Sequence, residues 1–214
     1  MEFANGKVAG SVYSFGYLIT DEHFSVLVPP TDLLIDPECE WNEYVQTNIL
    51  AYPMETVAQA PAFPSVYGQL ATLFSSVDFA VGFSIGNDIR ALRADCRRYG
   101  LPCPDFRWFD VEKLCKRVEA HRDAHGLEGC FKAWCQDTPV PENRHRSDVD
   151  ADMTARLLRA VCESMHAGAE MIRLAYPECG GTTADAEKPR EKKPRSRGRR
   201  RVRKTKKEKK EMIP

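Results

Sequence analysis

The stretch Val77-Asp78-Phe79-Ala80-Val81-Gly82-Phe83-Ser84-Ile85-Gly86-Asn87-Asp88-Ile89-Arg90-Ala91-Leu92 decides the fold. Residues 77–83 are nearly all apolar and read as a buried strand. A Ser-Ile-Gly-Asn turn follows. Ile89, Leu92, Cys96 and Tyr99 then recur at the spacing of one helix face, until Gly100 and Pro102 stop the helix. A buried strand feeding an amphipathic helix is the unit from which α/β domains are built.

Downstream, residues 106–111 (FRWFDV) read as a second strand leading into a helix over 112–124, with a shorter helix over 127–134. A long helix over 148–174 carries Met153, Leu157, Leu158, Val161, Met165 and Ile172. Upstream, Pro64-Ser65 starts a helix whose face is Tyr67, Leu70 and Phe74. Residues 11–19 (SVYSFGYLI) and 24–28 (FSVLV) are aromatic and β-branched, with Thr20-Asp21-Glu22-His23 between them, which predicts an antiparallel hairpin. The proline-rich residues 29–64 read as a long excursion with little regular structure. The order is β-β-loop-α-β-α-β-α-α without an internal repeat, so the expected fold is a mixed sheet flanked by helices on both faces.

The 214 residues hold 31 basic and 31 acidic side chains, and this balance hides an asymmetry. Residues 181–214 carry 15 Lys/Arg against 5 Asp/Glu, leaving 16 and 26 in residues 1–180. The expected organisation is one acidic domain over 1–180 and a disordered Lys/Arg-rich tail over 181–214. No apolar run approaches the ~20 residues of a membrane span, and the N-terminus lacks the pattern of a signal peptide. The eight cysteines form no C-x-x-C pair, which suits reduced thiols and a cytoplasmic protein.

Three acidic positions fall where a mixed sheet brings them together: Glu2 at the N-terminus, Asp88 after the strand over 77–83, and Asp150 at the start of the last long helix. Carboxylates converging on one point repel unless cations intervene, so the cluster calls for hard divalent metals on oxygen ligands. Two such metals generate a hydroxide and stabilise the leaving oxygen of a phosphodiester. His145, five residues before Asp150, is placed to orient or deprotonate the attacking water.

These residues resemble the DEDDh 3′–5′ exonucleases, the DnaQ-like and ribonuclease T-like enzymes of the ribonuclease H-like fold, over roughly residues 2–175. His145-Arg146-Ser147-Asp148-Val149-Asp150-Ala151 matches the family's third motif, H-x4-D-A. Gly82 to Asp88 resembles the second motif, G-H-N-x-x-F-D, but Phe83, Ser84 and Asn87 replace its His, Asn and Phe. Trp108-Phe109-Asp110 resembles the strand end that follows, with Asp110 supportive rather than catalytic. The first motif, D-x-E, is matched by Met1-Glu2-Phe3-Ala4-Asn5 only from its middle position, so its Asp is absent and so is the central strand that carries it. The expectation is that an internal Met has been taken as the start, with about ten residues of strand upstream. The rival is a true truncation, giving a catalytically impaired nucleic-acid-binding or interaction module.

The resemblance implies a metal-dependent exonuclease acting on the 3′ end of DNA or RNA. Glu2, Asp88 and Asp150 would be ligands of two Mg²⁺ or Mn²⁺, and His145 the general base. Three other features carry competing readings. His121, His125, Cys130 and Cys135 hint at zinc, but their loose spacing on predicted helices favours helix-face histidines and half-buried thiols. Trp108 and Phe109 read as core, with stacking on a terminal base the alternative. The basic run over 188–210 would hold phosphates without sequence preference, or else ribosomes, acidic proteins or membranes.

Overall fold

The computed structural model describes residues 1–118, 120, 121, 123–142 and 145–184. The described residues form six strands and eight α-helices in a mixed α/β fold. Strand β1 is Glu2–Phe3, β2 is Val12–Thr20 and β3 is Val26–Leu34. They make one antiparallel sheet in that order, with Glu2 opposite Ser14 and Ser14 opposite Leu34. Strand β4 (Ala80–Gly82) runs parallel to β5 (Arg107–Asp110), which pairs antiparallel with β6 (Gly180–Thr182) to make a second sheet.

Helices α3 (Phe63–Ser75) and α4 (Gly86–Arg98) cover one face. Their apolar residues Phe63, Val66, Leu70, Phe74, Ile89 and Leu92 close on Val12 and Phe15 of β2. The second core joins α5 (Val111–Arg117), α6 (Gly126–Trp134) and α7 (Ser147–Ser164) through Leu114, Phe131, Met153, Leu157 and Val161. Full burial of each such side chain contributes about 1.5–3 kcal/mol. Because α3 and α4 lie in one core and α5 to α7 in the other, both faces of the strands are sealed by helices.

Several elements differ from the sequence expectation. The excursion over 29–64 is partly regular: β3 continues to Leu34, and two short helices follow, α1 (Glu43–Asn48) and α2 (Met54–Ala58). Pro29 and Pro30 are tolerated because β3 is the edge of its sheet, where a missing N–H breaks no ladder. The helix expected over 148–174 is two helices, α7 and α8 (Ala169–Ala175). His166 takes a left-handed backbone (φ 50), and Ala167 N–H reaches back to Cys162 O at 3.0 Å. That closure satisfies carbonyls at the end of α7 and turns the chain. The helix expected over 112–124 stops at Arg117, where Val118 becomes extended.

Among the described residues the two sheets are not hydrogen-bonded to each other, and β1 is two residues long. Between β2 and β4 lies a cleft of about 1120 Å³, lined by residues 15–20 on one side and 78–85 on the other. Among the described residues no helix is long and apolar enough to cross a membrane.

Candidate metal centre

The side chains expected at the site sit on separate elements. Glu2 is in β1, Asp88 in the first turn of α4, Asp150 in the first turn of α7, and His145 in the turn before α7. Glu2, His145 and Asp150 each offer a ligand atom to one point, all within 4.8 Å of one another. Asp88 joins them through the α-amino group of Met1, which donates to its Oδ1 at 3.0 Å and lies in the field of Glu2 and Asp150. Glu2, Asp88 and Asp150 all line the cleft between the sheets.

Both loops that deliver these groups pass through a left-handed, non-glycine residue: Ser84 (φ 57) ahead of α4 and His145 (φ 66) ahead of α7. Such backbone costs roughly 1–3 kcal/mol and persists only where neighbours fix it. Asp110 fixes the first loop. Its Oδ1 accepts from Ser84 N–H at 3.1 Å and, as the cap of α5, from Lys113 N–H at 3.3 Å. Asp110 thus anchors the turn that sets Asp88.

Strand β2 fixes the second loop. Gly16 lies so close to the start of α7 that a Cβ there would fall 1.9 Å from the Ser147 carbonyl carbon. One turn of pleat away, Ser14 Oγ and Ser147 Oγ share a hydrogen bond of 2.5 Å. Ser14 Oγ also lies 2.8 Å from Asp32 Oδ1, and Tyr52 Oη donates to Asp32 Oδ2 at 2.5 Å. The Arg146 guanidinium stands 5.5 Å from the Tyr52 ring centre and pairs with Asp148 at 2.8 Å. Sequence reasoning missed Ser14, Gly16, Asp32 and Tyr52. A glycine between Phe15 and Tyr17 inside a strand was the available signal, because it marks a close backbone approach.

The electrostatics show a surplus of buried negative charge. Burial pushes Glu2 from its ordinary 4.5 to about 7; the Met1 ammonium opposes this, while Asp150, Asp88 and Asp32 add repulsion. Burial raises Asp150 as well, against the pull of His145 and the Met1 ammonium. Burial disfavours the Met1 charge itself, but Asp88 above all, with Glu2 and Asp150, holds that amine above its ordinary value. Carboxylate oxygens with one imidazole, mutually repelling and partly desolvated, fit a hard divalent cation.

The competing features fall elsewhere. Phe109 is fully buried in the second core, and Trp108 packs against the first core under Lys113 without lining the cleft. His121 packs edge-on against Trp134 at 5.1 Å, while the Cys130 and Cys135 thiols donate to Ala124 O and Arg156 O. Among the described residues His121, His125, Cys130 and Cys135 form no metal-binding group. The basic run over 188–210 lies outside the described residues.

No family model matches the chain, and no curated protein matches it. Solved structures do. The nuclease domain of 3′hExo, described as a DEDDh family member bound to rAMP, aligns with TM-score 0.61 at 13% identity, over 71% of this chain and 80% of that one. A 3′-exonuclease in 3′-end-specific recognition of histone mRNA stem-loop aligns with TM-score 0.58 at 13% identity, over 71% and 72%. A full-length 3′-exonuclease aligns with TM-score 0.55 at 14% identity, over 78% and 54%. At these identities the likeness is one of fold: the chain has a mixed α/β fold like that of these exonuclease structures.

Proposed function

We propose that this protein is a metal-dependent 3′–5′ exonuclease acting on DNA or RNA. The observation that carries the reading is the convergence of Glu2, His145 and Asp150 within 4.8 Å, with Asp88 beside them on the Met1 amine. The fold shared with 3′-exonucleases supports it. Glu2, Asp88 and Asp150 would hold two Mg²⁺ or Mn²⁺. Bound there, the cations supply Lewis-acid stabilisation of the phosphate and its leaving oxygen. His145, exposed beside Asp150, accepts the proton of the attacking water. Ser14, Gly16 and Ser147 position the His145–Asp150 loop.

A second reading, a binding module that keeps the fold without turnover, is favoured by one observation. The Met1 ammonium pairs with Asp88 Oδ1 at 3.0 Å, where it competes with a cation for that carboxylate. Incubating the protein and its Asp150→Asn variant with 3′-labelled single-stranded DNA and RNA in Mn²⁺ separates the readings. Slow release of nucleoside monophosphate by the parent alone supports the nuclease. Equal rates in both would mean contamination and leave the binding module as the account.

A further inference from the structure

The nuclease reading gives no part to Asp32, although its carboxylate stands where the segments carrying the metal-facing groups meet. Asp32 lies on β3 directly opposite Gly16, the glycine over which the start of α7 is laid. Ser14, two residues back along β2, pairs on its other side with Glu2 of β1. Asp32 Oδ1 and Oδ2 are 2.8 and 3.0 Å from Ser14 Oγ, and Tyr52 Oη reaches Oδ2 at 2.5 Å.

The chemistry of these groups sets the direction of each hydrogen bond. A carboxylate only accepts, and a hydroxyl has one hydrogen to give. Ser14 and Tyr52 therefore both donate to Asp32. With its hydrogen committed, Ser14 Oγ offers only lone pairs to Ser147 Oγ, 2.5 Å away, so Ser147 is the donor there. Ser14 and Ser147 are 0% and 3% exposed, which keeps water from competing for these hydrogens. Ser147 opens α7, whose cap residue Arg146 makes no side-chain capping bond. The start of this helix is thus held from β2 and β3 instead of by a cap of its own. His145 lies two residues before Ser147, and Asp150 three after it.

From this polarity we infer that Asp32 is a positioning residue of the candidate centre: it orients the Ser14 and Ser147 hydroxyls, and through them holds His145 and Asp150 in place beside Glu2. Its consequence for metal binding rests on the proposed nuclease centre, while the hydrogen-bond chain stands without it. An amide at position 32 would donate from one side, so one hydroxyl would lose its acceptor and the chain its direction. Asp32 also adds to the negative charge felt by Glu2, so loss of charge must be separated from loss of positioning.

The test uses the full chain with Asp32→Asn, Ser147→Ala, the two combined, and Tyr52→Phe, which takes one hydroxyl from Asp32 and keeps the ring beside Arg146. Under conditions where each variant is folded, Mn²⁺ affinity is expected to fall about tenfold in Asp32→Asn and in Ser147→Ala. The combination is expected to be no weaker than either alone, and Tyr52→Phe to show a smaller loss. In turnover, kcat is expected to fall with KM unchanged. If Asp32→Asn does not fold, Tyr52→Phe carries the same comparison. A pure charge effect would leave Ser147→Ala at the parent's affinity and shrink as salt is raised. That pattern, or parent-like isotherms in every variant, overturns the inference. Should the parent itself bind no Mn²⁺, the metal reading fails and amide exchange decides the positioning role. Asp150 N–H, bonded to Arg146 O at 3.0 Å, is expected to exchange about tenfold faster in Asp32→Asn and Ser147→Ala. Unchanged exchange there overturns the role.

Discussion

Glu2, in a two-residue strand, and Asp150, in the first turn of α7, bring carboxylate oxygens within 4.8 Å of each other although 148 positions separate them in the chain. Burial of Glu2, with repulsion from Asp150 and Asp88 added, makes the folded state sensitive to pH. The Glu2 pKa is raised from 4.5 to about 7, so the folded protein binds more protons than the unfolded one between those values. Stability should be highest below about pH 4.5 on this account, and decline as pH rises through 7. The upper bound is about 3 kcal/mol, at 1.36 kcal/mol per pKa unit. Thermal denaturation across this range should show the decline in the parent and a flatter profile in Glu2→Gln.

Added Mn²⁺ or Mg²⁺ should reverse that loss at neutral pH. A cation bound only by the folded state adds about 2.7 kcal/mol of stability at a hundredfold excess over Kd, and so raises Tm with its concentration. Differential scanning at pH 7.5 should show the rise in the parent and little of it in Asp88→Asn.

Gly16→Ala should be among the most damaging single changes. Its Cβ would enter the backbone at Ser147, and overpacking of this kind costs about 1–3 kcal/mol or more. Ser14→Ala should be milder, about 1–2 kcal/mol, since it removes the Ser14 hydrogen bonds to Ser147 and Asp32 while leaving Asp32 its Tyr52 partner. Urea denaturation should rank Gly16→Ala above Ser14→Ala.

Residues 185–214 carry 15 basic and 5 acidic side chains. If they tether phosphates, deleting them should raise the apparent KM for long oligonucleotides and flatten its salt dependence, with little change in kcat. Steady-state kinetics between 50 and 200 mM salt, roughly the range over which such tethers weaken most, would measure both. An unchanged KM and salt slope would mean that the tail does not hold substrate.

The parts of the fold that follow from local pattern were legible in the sequence. The β4-turn-α4 unit shows in the switch from an apolar run to helical spacing at Ile89 and Leu92, and both are buried in the structure. The hairpin shows in its aromatic and β-branched residues. The break between α7 and α8 was not legible, because Met165 and Ile172 keep helical spacing across a turn that His166 makes with a left-handed backbone usually given to glycine. Nor was the Ser14–Asp32–Tyr52–Ser147 chain of hydrogen bonds, since polar residues inside strands announce no partner until the strands are assembled. Among the site residues, His145 and Asp150 were marked by their spacing. Glu2 had no local pattern to mark it beyond its acidity and its resemblance to the D-x-E motif, and its place beside Asp150 depends on a pairing between β1 and β2 that no periodicity encodes.

The central claim is that Glu2, Asp88, Asp150 and His145 form one metal centre. Titration of Mn²⁺ into the full chain, followed by the loss of its free-ion paramagnetic resonance signal, tests this without requiring turnover. Saturable binding in the parent, weakened about tenfold or more in Asp150→Asn and in Glu2→Gln, is the predicted result. Identical isotherms for parent and variants would contradict it.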